Sequence, residues 1–138
     1  MMQSRRGAAQ YRAVSSHGLV AEASPTRLVQ IMYEHVLSNL AATEGCMGRI
    51  KGNLPWTEVK AKGIAIGKAV RLLGQLDSTL DMERGGQIAE NLHNLYAYML
   101  NRLTVANVTN DPQIVAEVAA LVRKIKSGWD QIVADEAR

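Results

Sequence analysis

The chain has 138 residues, which suits one domain, and 47% of them are hydrophobic, so a sizeable core can form. Only 4% are aromatic and phenylalanine is absent, which leaves Leu, Ile, Val, Met and Ala as core material, a mixture that favours helices over sheets. The single cysteine, Cys46, excludes an internal disulfide, and no apolar run approaches the roughly 18 residues of a membrane span.

Residues 1–23 are small and polar, with Tyr11 their one large aromatic, and read as a flexible arm able to carry a short cap helix. Arg5-Arg6 is not followed by the apolar stretch of a signal peptide, so the expectation is a soluble cytoplasmic protein without membrane insertion. Ser24-Pro25 then opens a first helix, Ser as N-cap and Pro at the first helical position. Leu28, Met32, Val36, Leu40, Met47 and Ile50 recur along it at helical spacing. Gly52-Asn53 ends that segment, and a second helix is expected from about Trp56 to Leu80. Gly63, Gly67 and Gly74 lie inside it and each costs roughly 1 kcal/mol relative to Ala, which implies either close helix approach or a surface for a partner. Arg84-Gly85-Gly86 reads as a turn and a third helix as about Gln87 to Asn107. Asp111-Pro112 caps a fourth, with Ile114, Val118, Leu121, Val122, Ile125, Trp129 and Ile132 as its stripe. The fold class is therefore all-α: an antiparallel up-down four-helix bundle over residues 24–138, preceded by the arm.

Chemistry-bearing constellations are sparse. Glu90-Asn91-Leu92-His93 has the Glu-x-x-His spacing of di-metal bundles, but the second copy such sites need is missing. Cys46 shares the stripe of Leu28 and reads as a small buried hydrophobe, with His35 at the edge of that stripe. No catalytic residue, metal ligand or cofactor site is expected, and the chain reads as a binding protein. The net charge of +3 is unevenly placed, about +5 over residues 49–71 and −3 over residues 72–90. Lys60, Lys62, Lys68 and Arg71 therefore support an alternative reading, a small basic nucleic-acid-binding or regulatory bundle.

Surplus apolar surface points elsewhere. With Ile88 set at 0° on the third helix, Leu92, Leu95, Tyr96, Met99 and Leu103 fall between about −20° and +80° and form the core stripe. Tyr98 falls near 280°, Val105 near 260° and Arg102 near 320°, outside it. On the first helix, Tyr33 and Leu37 stand about 140° and 180° from Leu28, also away from the expected stripe. Tyrosines suit surfaces that are half wet and half apolar, and a bundle with spare grooves can receive partner helices.

The chain resembles the flagellin export chaperones of the FliS type over nearly its whole length. The resemblance rests on Ala23-Ser24-Pro25 with Leu28, Val29 and Tyr33-Glu34, on Leu76-Asp77, Leu80-Asp81 and Glu83, and on Trp129. Its densest part is Gly85-Gly86, Ile88-Ala89, Asn91-Leu92, Leu95-Tyr96, Tyr98-Met99, Arg102-Leu103 and Ala106-Asn107. The family usually carries glycine where this chain has His35. The resemblance implies a cytoplasmic bundle that binds the disordered C-terminal segment of flagellin, prevents premature polymerisation and delivers flagellin to the flagellar type III export gate. It implies no cofactor and no nucleic acid, and leaves room for a regulator of flagellar genes as a further partner. On this reading Tyr33, Leu37, Leu95, Tyr98, Arg102 and Val105 form the client surface. Tyr96 serves the interior, and the segment around Tyr11 covers part of the groove and engages the export gate.

Overall fold

The computed structural model describes residues 24–50 and 55–138; residues 1–23, with the arm and Tyr11, lie outside the described residues. Four helices follow one another: α1 Pro25–Arg49, α2 Trp56–Ser78, α3 Met82–Thr109 and α4 Pro112–Glu136. Each helix packs against two neighbours, α1 and α3 both lying against α2 and α4, so the bundle is a square with α1 and α3 on one diagonal. The α1 helix is the more closely packed of that pair. Among the described residues there is no strand.

Local chemistry sets the ends. The Ser24 side chain accepts from the Arg27 N–H, Asp81 from Arg84 and Asp111 from Gln113, so three of the four helices have side-chain N-caps. Pro25 and Pro112 hold the first helical position. Asn110 ends α3 in the left-handed conformation, φ 52°, and its side-chain amide donates to the Met47 carbonyl at the end of α1. The Lys62 ammonium donates to the Asn107 carbonyl at 3.1 Å and to Asn110 Oδ1 at 3.4 Å. A cation is thus held where the carbonyl end of α3 carries its partial negative charge. Lys62 is buried by this arrangement, which removes it from the basic face expected from the sequence. At the opposite end, the Glu136 carboxylate of α4 accepts from the hydroxyls of Ser24 and Thr26 at the start of α1.

The expected turn at Arg84-Gly85-Gly86 proves to be a break within a longer helical run. Met82–Gly85 forms one turn capped by Asp81, and Gly86 then takes φ 52°, ψ −129°, a conformation open only to glycine. A side chain at Gly85 would stand 2.6 Å from the Ala89 Cβ, so the two glycines serve different needs, space at one and backbone freedom at the other. Ile88, expected in the core, lies in the first turn after the break and is 72% exposed; the buried face of α3 begins at Ala89.

The core consists of Val36 and Leu40 of α1, Leu73 of α2, Met99 and Leu103 of α3, and Val115, Val118 and Val122 of α4, all fully buried. Tyr33 and Tyr96 complete it, and their hydroxyls hydrogen-bond to each other across the bundle. Tyr33 therefore does not face away from the core. The buried arc of α1 is wide because the helix is flanked by α2 and α4, and it is centred nearer Val36 than Leu28. Tyr33 falls inside that arc, and a phenol can be buried there because Tyr96 satisfies its hydroxyl. His35, expected at the core edge, is exposed, and Cys46 is buried.

Burial pushes the Tyr33 hydroxyl above its ordinary pKa, an effect partly offset by hydrogen bonding to Tyr96 and Trp129. Tyr96 is pushed up further, by burial first and then by its bond to Tyr33. Both groups are held neutral in the folded state. Their contribution is fully present below the unfolded tyrosine value of about 10 and is lost as pH rises above it. Tyr33→Phe should cost about 1–3 kcal/mol by stranding the buried Tyr96 hydroxyl, Tyr96→Phe should cost less because Tyr33 keeps Trp129 as a partner, and the double substitution should cost less than the sum. Thermal melts followed by circular dichroism check both points: the fall in melting temperature above about pH 10 should be shallower in the double variant.

Candidate interaction surface

Two features near α3 stand apart from the bundle's close-packed core. The first is a cavity of about 310 Å³ at the end where α1 begins and α4 finishes. Its walls include Val29 and Tyr33 of α1, Leu76 near the end of α2, Leu80 of the α2–α3 connection, Leu92 of α3 and Trp129 of α4. The lining is mostly apolar, and the volume suits a few aliphatic or aromatic side chains. The α2–α3 connection forms part of the wall, through Thr79, Leu80 and Asp81, and faces the tyrosine pair across the space.

The second is the seam between α3 and α4. Tyr98 is 44% exposed and its hydroxyl donates to Glu117 Oε2 at 2.7 Å. Arg102 Nε donates to Glu117 Oε1 at 3.1 Å. One carboxylate of α4 therefore holds a tyrosine and an arginine of α3 in fixed positions. Glu117 is held below its usual carboxylate range by the Tyr98 bond first and then by Arg102, while the same bond to Glu117 pushes the Tyr98 hydroxyl up. Leu95 and Val105 lie half-buried on the same helix, and Ile114 and Leu121 line the α4 side of the core in the same partly covered state. The result is an apolar strip with a polar clasp in its middle, a form that suits an amphipathic helix.

Five of the six residues expected to form one client surface divide between these features, and Leu37 lies in neither. Leu95, Tyr98, Arg102 and Val105 all lie along α3, with Tyr98 and Arg102 joined through Glu117. Tyr33 and Leu37 belong to α1, on the other corner of the diagonal. Tyr33 is buried and reaches α3 only through the interior, as a wall of the cavity, and Leu37 is half-buried against the core. Glu117 was missed by the sequence reading. It had a signal: it is the only acidic residue between Pro112 and Trp129, on a stretch that from Ile114 onward is otherwise apolar, small or basic. Of the expected Glu-x-x-His pair, Glu90 is exposed and His93 instead pairs with Asp77 of α2 at 2.7 Å.

A family model described as "Flagellar protein FliS" matches residues 7–136. The chain belongs to the FliS family. It is similar to a flagellar secretion chaperone, FliSB, of Pseudomonas aeruginosa, with 42% identity over 131 residues, 95% of this chain and 98% of that one. It is also similar to the flagellar secretion chaperones FliS of Vibrio cholerae and Salmonella typhimurium. The first is 41% identical over 128 residues, 92% of this chain and 89% of the relative. The second is 37% identical over 132 residues, 95% and 93%. Among the described residues no helix is long and apolar enough to cross a membrane.

The geometry separates the two neighbouring tyrosines of α3. Tyr96→Ala should open a core defect costing about 3–5 kcal/mol, the range for a large buried aromatic. Tyr98→Ala should stay within about 1 kcal/mol, since it removes only a surface hydrogen bond and a half-exposed ring. Urea titrations of the two variants check the difference.

Proposed function

We propose that this chain is a cytoplasmic flagellin chaperone: it binds the disordered C-terminal segment of flagellin, holds off polymerisation and hands the client to the flagellar type III export gate. The observation that carries the reading is a FliS-family bundle with two apolar features beyond its core, the cavity beside Tyr33, Tyr96 and Trp129 and the α3–α4 seam held by Glu117. A disordered client gives up much chain entropy on ordering, so it needs extended apolar contact rather than one deep pocket. A large apolar side chain of the client fits the cavity beside Tyr33 and Trp129. A client helix lies along Leu95, Tyr98, Arg102 and Val105, its polar groups exchanging with the Glu117 clasp. The names of the relatives, secretion chaperones, support the export role.

Two further parts of this reading concern partners. Tyr11, in residues 1–23, is assigned to contact with the export gate, and a flagellar gene regulator is a candidate competitor for the client surface.

The protein should co-purify with flagellin and lose it when the C-terminal segment of flagellin is removed. Calorimetry of the complex should give a negative heat-capacity change with opposing enthalpy and entropy, as coupled folding requires. Tyr98→Ala should weaken this binding by about 1–2 kcal/mol while the fold is retained. Undiminished binding of truncated flagellin sinks the reading. For the arm, deletion of residues 1–20 should leave flagellin affinity unchanged or raise it, and Tyr11→Ala should lower export of flagellin in cells without lowering affinity. A folded deletion variant that no longer binds flagellin would place the arm inside the client site instead.

A further inference from the structure

The outer face of α2 has a character that the core and the client surface leave unexplained. Lys60, Ile64, Lys68 and Arg71 are all exposed, and they follow one another at spacings of four, four and three, so they share the side of the helix opposite the buried Ala65, Ile66, Ala69 and Leu73. Trp56, one turn before Lys60, is 73% exposed, Ile64 is 51% exposed, and Val70 flanks the row. The row from Lys60 to Arg71 is about 16 Å long.

This face has no counter-charge of its own. Arg27, Arg49, Arg84, Arg102, Lys126 and Arg138 each face a carboxylate within 4.0 Å. Among the described residues Lys60, Lys68 and Arg71 take part in none of these pairs. From Val59 to Leu76 the sequence contains no Asp or Glu at all, and the nearest acids are already engaged, Glu58 by Arg49 and Asp77 by His93. Residues 1–23 and 51–54 contain a single acid, Glu22. A helix face that only needed solvation would be served by mixed charges, which support each other at i, i+4 spacing. Here cations alternate instead with a tryptophan, an isoleucine and a valine. At Gly63 a Cβ would meet nothing within 4 Å, so the glycine is not required by packing inside the bundle, and it leaves the helix backbone open to close approach from outside.

We infer that the outer face of α2 is a second docking surface, whose occupant is an acidic amphipathic helix of another protein. Carboxylates on that helix would meet Lys60, Lys68 and Arg71, and its apolar residues would cover Trp56, Ile64 and Val70. The chemistry favours such a segment over a polyanion, because half of the exposed large groups on this face are apolar. It also favours it over a membrane, because three apolar side chains spread over four turns give little to embed. The surface is separate from the client seam: α2 and α4 stand on the other diagonal of the bundle, and the Tyr98–Glu117–Arg102 clasp lies between α3 and α4.

The test uses the full chain and a synthetic acidic amphipathic helical peptide of about 20 residues, with Glu and Leu interleaved on one face. A mirrored peptide with Lys in place of Glu, a duplex DNA and phosphatidylserine vesicles serve as competitors. The acidic peptide should bind, with backbone amide shifts confined to α2, and binding should weaken as salt rises from about 50 to 500 mM. Lys60→Glu/Lys68→Glu/Arg71→Glu, whose fold is checked by circular dichroism, should weaken the peptide at least tenfold, a loss of about 1.4 kcal/mol or more. The same variant should bind flagellin within about twofold of the unaltered chain, on the scale where 1.4 kcal/mol is tenfold. Equal binding of the mirrored peptide, tighter binding of DNA or vesicles, or amide shifts outside α2 would overturn the inference. So would loss of flagellin by the triple variant, because α2 would then belong to the client surface. Failure of the unaltered chain to bind flagellin would overturn the chaperone reading alone.

Discussion

The hydrogen bond between the Tyr33 and Tyr96 hydroxyls is the constraint around which the bundle is arranged. It joins α1 and α3 across the diagonal of the bundle. The remainder of the core is aliphatic, and aliphatic packing tolerates sliding and rotation of helices better than a buried polar pair does. Two phenols that must find each other in the interior fix the rotation of both helices at once. The requirement is severe because a phenol buried alone has lost its water and gained nothing. With Tyr33 turned inward, the rest of the α1 face follows, Val36 and Leu40 inside and His35 in solvent.

The same pair borders the cavity, whose wall is completed by Val29, Leu76, Leu92, Trp129 and the α2–α3 connection. Because the two hydroxyls satisfy each other, the pair turns no unpaired polar group towards that space. A binding protein can therefore retain an apolar hole at this position while keeping a defined fold.

The architecture was largely legible in the chain. Ser24-Pro25 and Asp111-Pro112 carry the physics of helix starts in adjacent residues, and Gly85-Gly86 marks a break by its composition. Local rules of this kind need no knowledge of neighbours. The candidate site was legible only in part. Tyr98 stood out because α3 has one clear stripe and Tyr98 lies opposite its edge. Tyr33 was misplaced because a helical wheel records direction and not the breadth of burial, and α1 is covered from two sides. Lys62 was counted as surface because nothing in its sequence neighbours reveals that the carbonyl end of α3, 45 residues later, would take its charge. Ile88 failed for the converse reason, since a helical stripe does not show where along the helix the core begins. Glu117 was overlooked because its partners, Tyr98 and Arg102, come from another helix.

Each seam of the square carries a polar tie, and the ties differ in how easily they exchange. Arg49–Glu58 joins α1 to α2, and His93–Asp77 joins α2 to α3. Gln30–Asp130 joins α1 to α4, with Asp130 also held by Lys126; the Gln30 donation first, then Lys126, keeps Asp130 below its usual carboxylate range. The fourth tie, Tyr98 and Arg102 on Glu117, lies where α3 is the less closely packed helix. Exposed pairs of this sort are worth about 0–1 kcal/mol each, so they add little to stability. Their value is positional: they hold polar atoms at known places on an otherwise apolar strip. A partner helix that supplies its own donors and acceptors can replace such a tie at small cost while it covers Leu95 and Val105. In the complex proposed above, the apolar cover would supply the affinity and the clasp the register in which the cover is made.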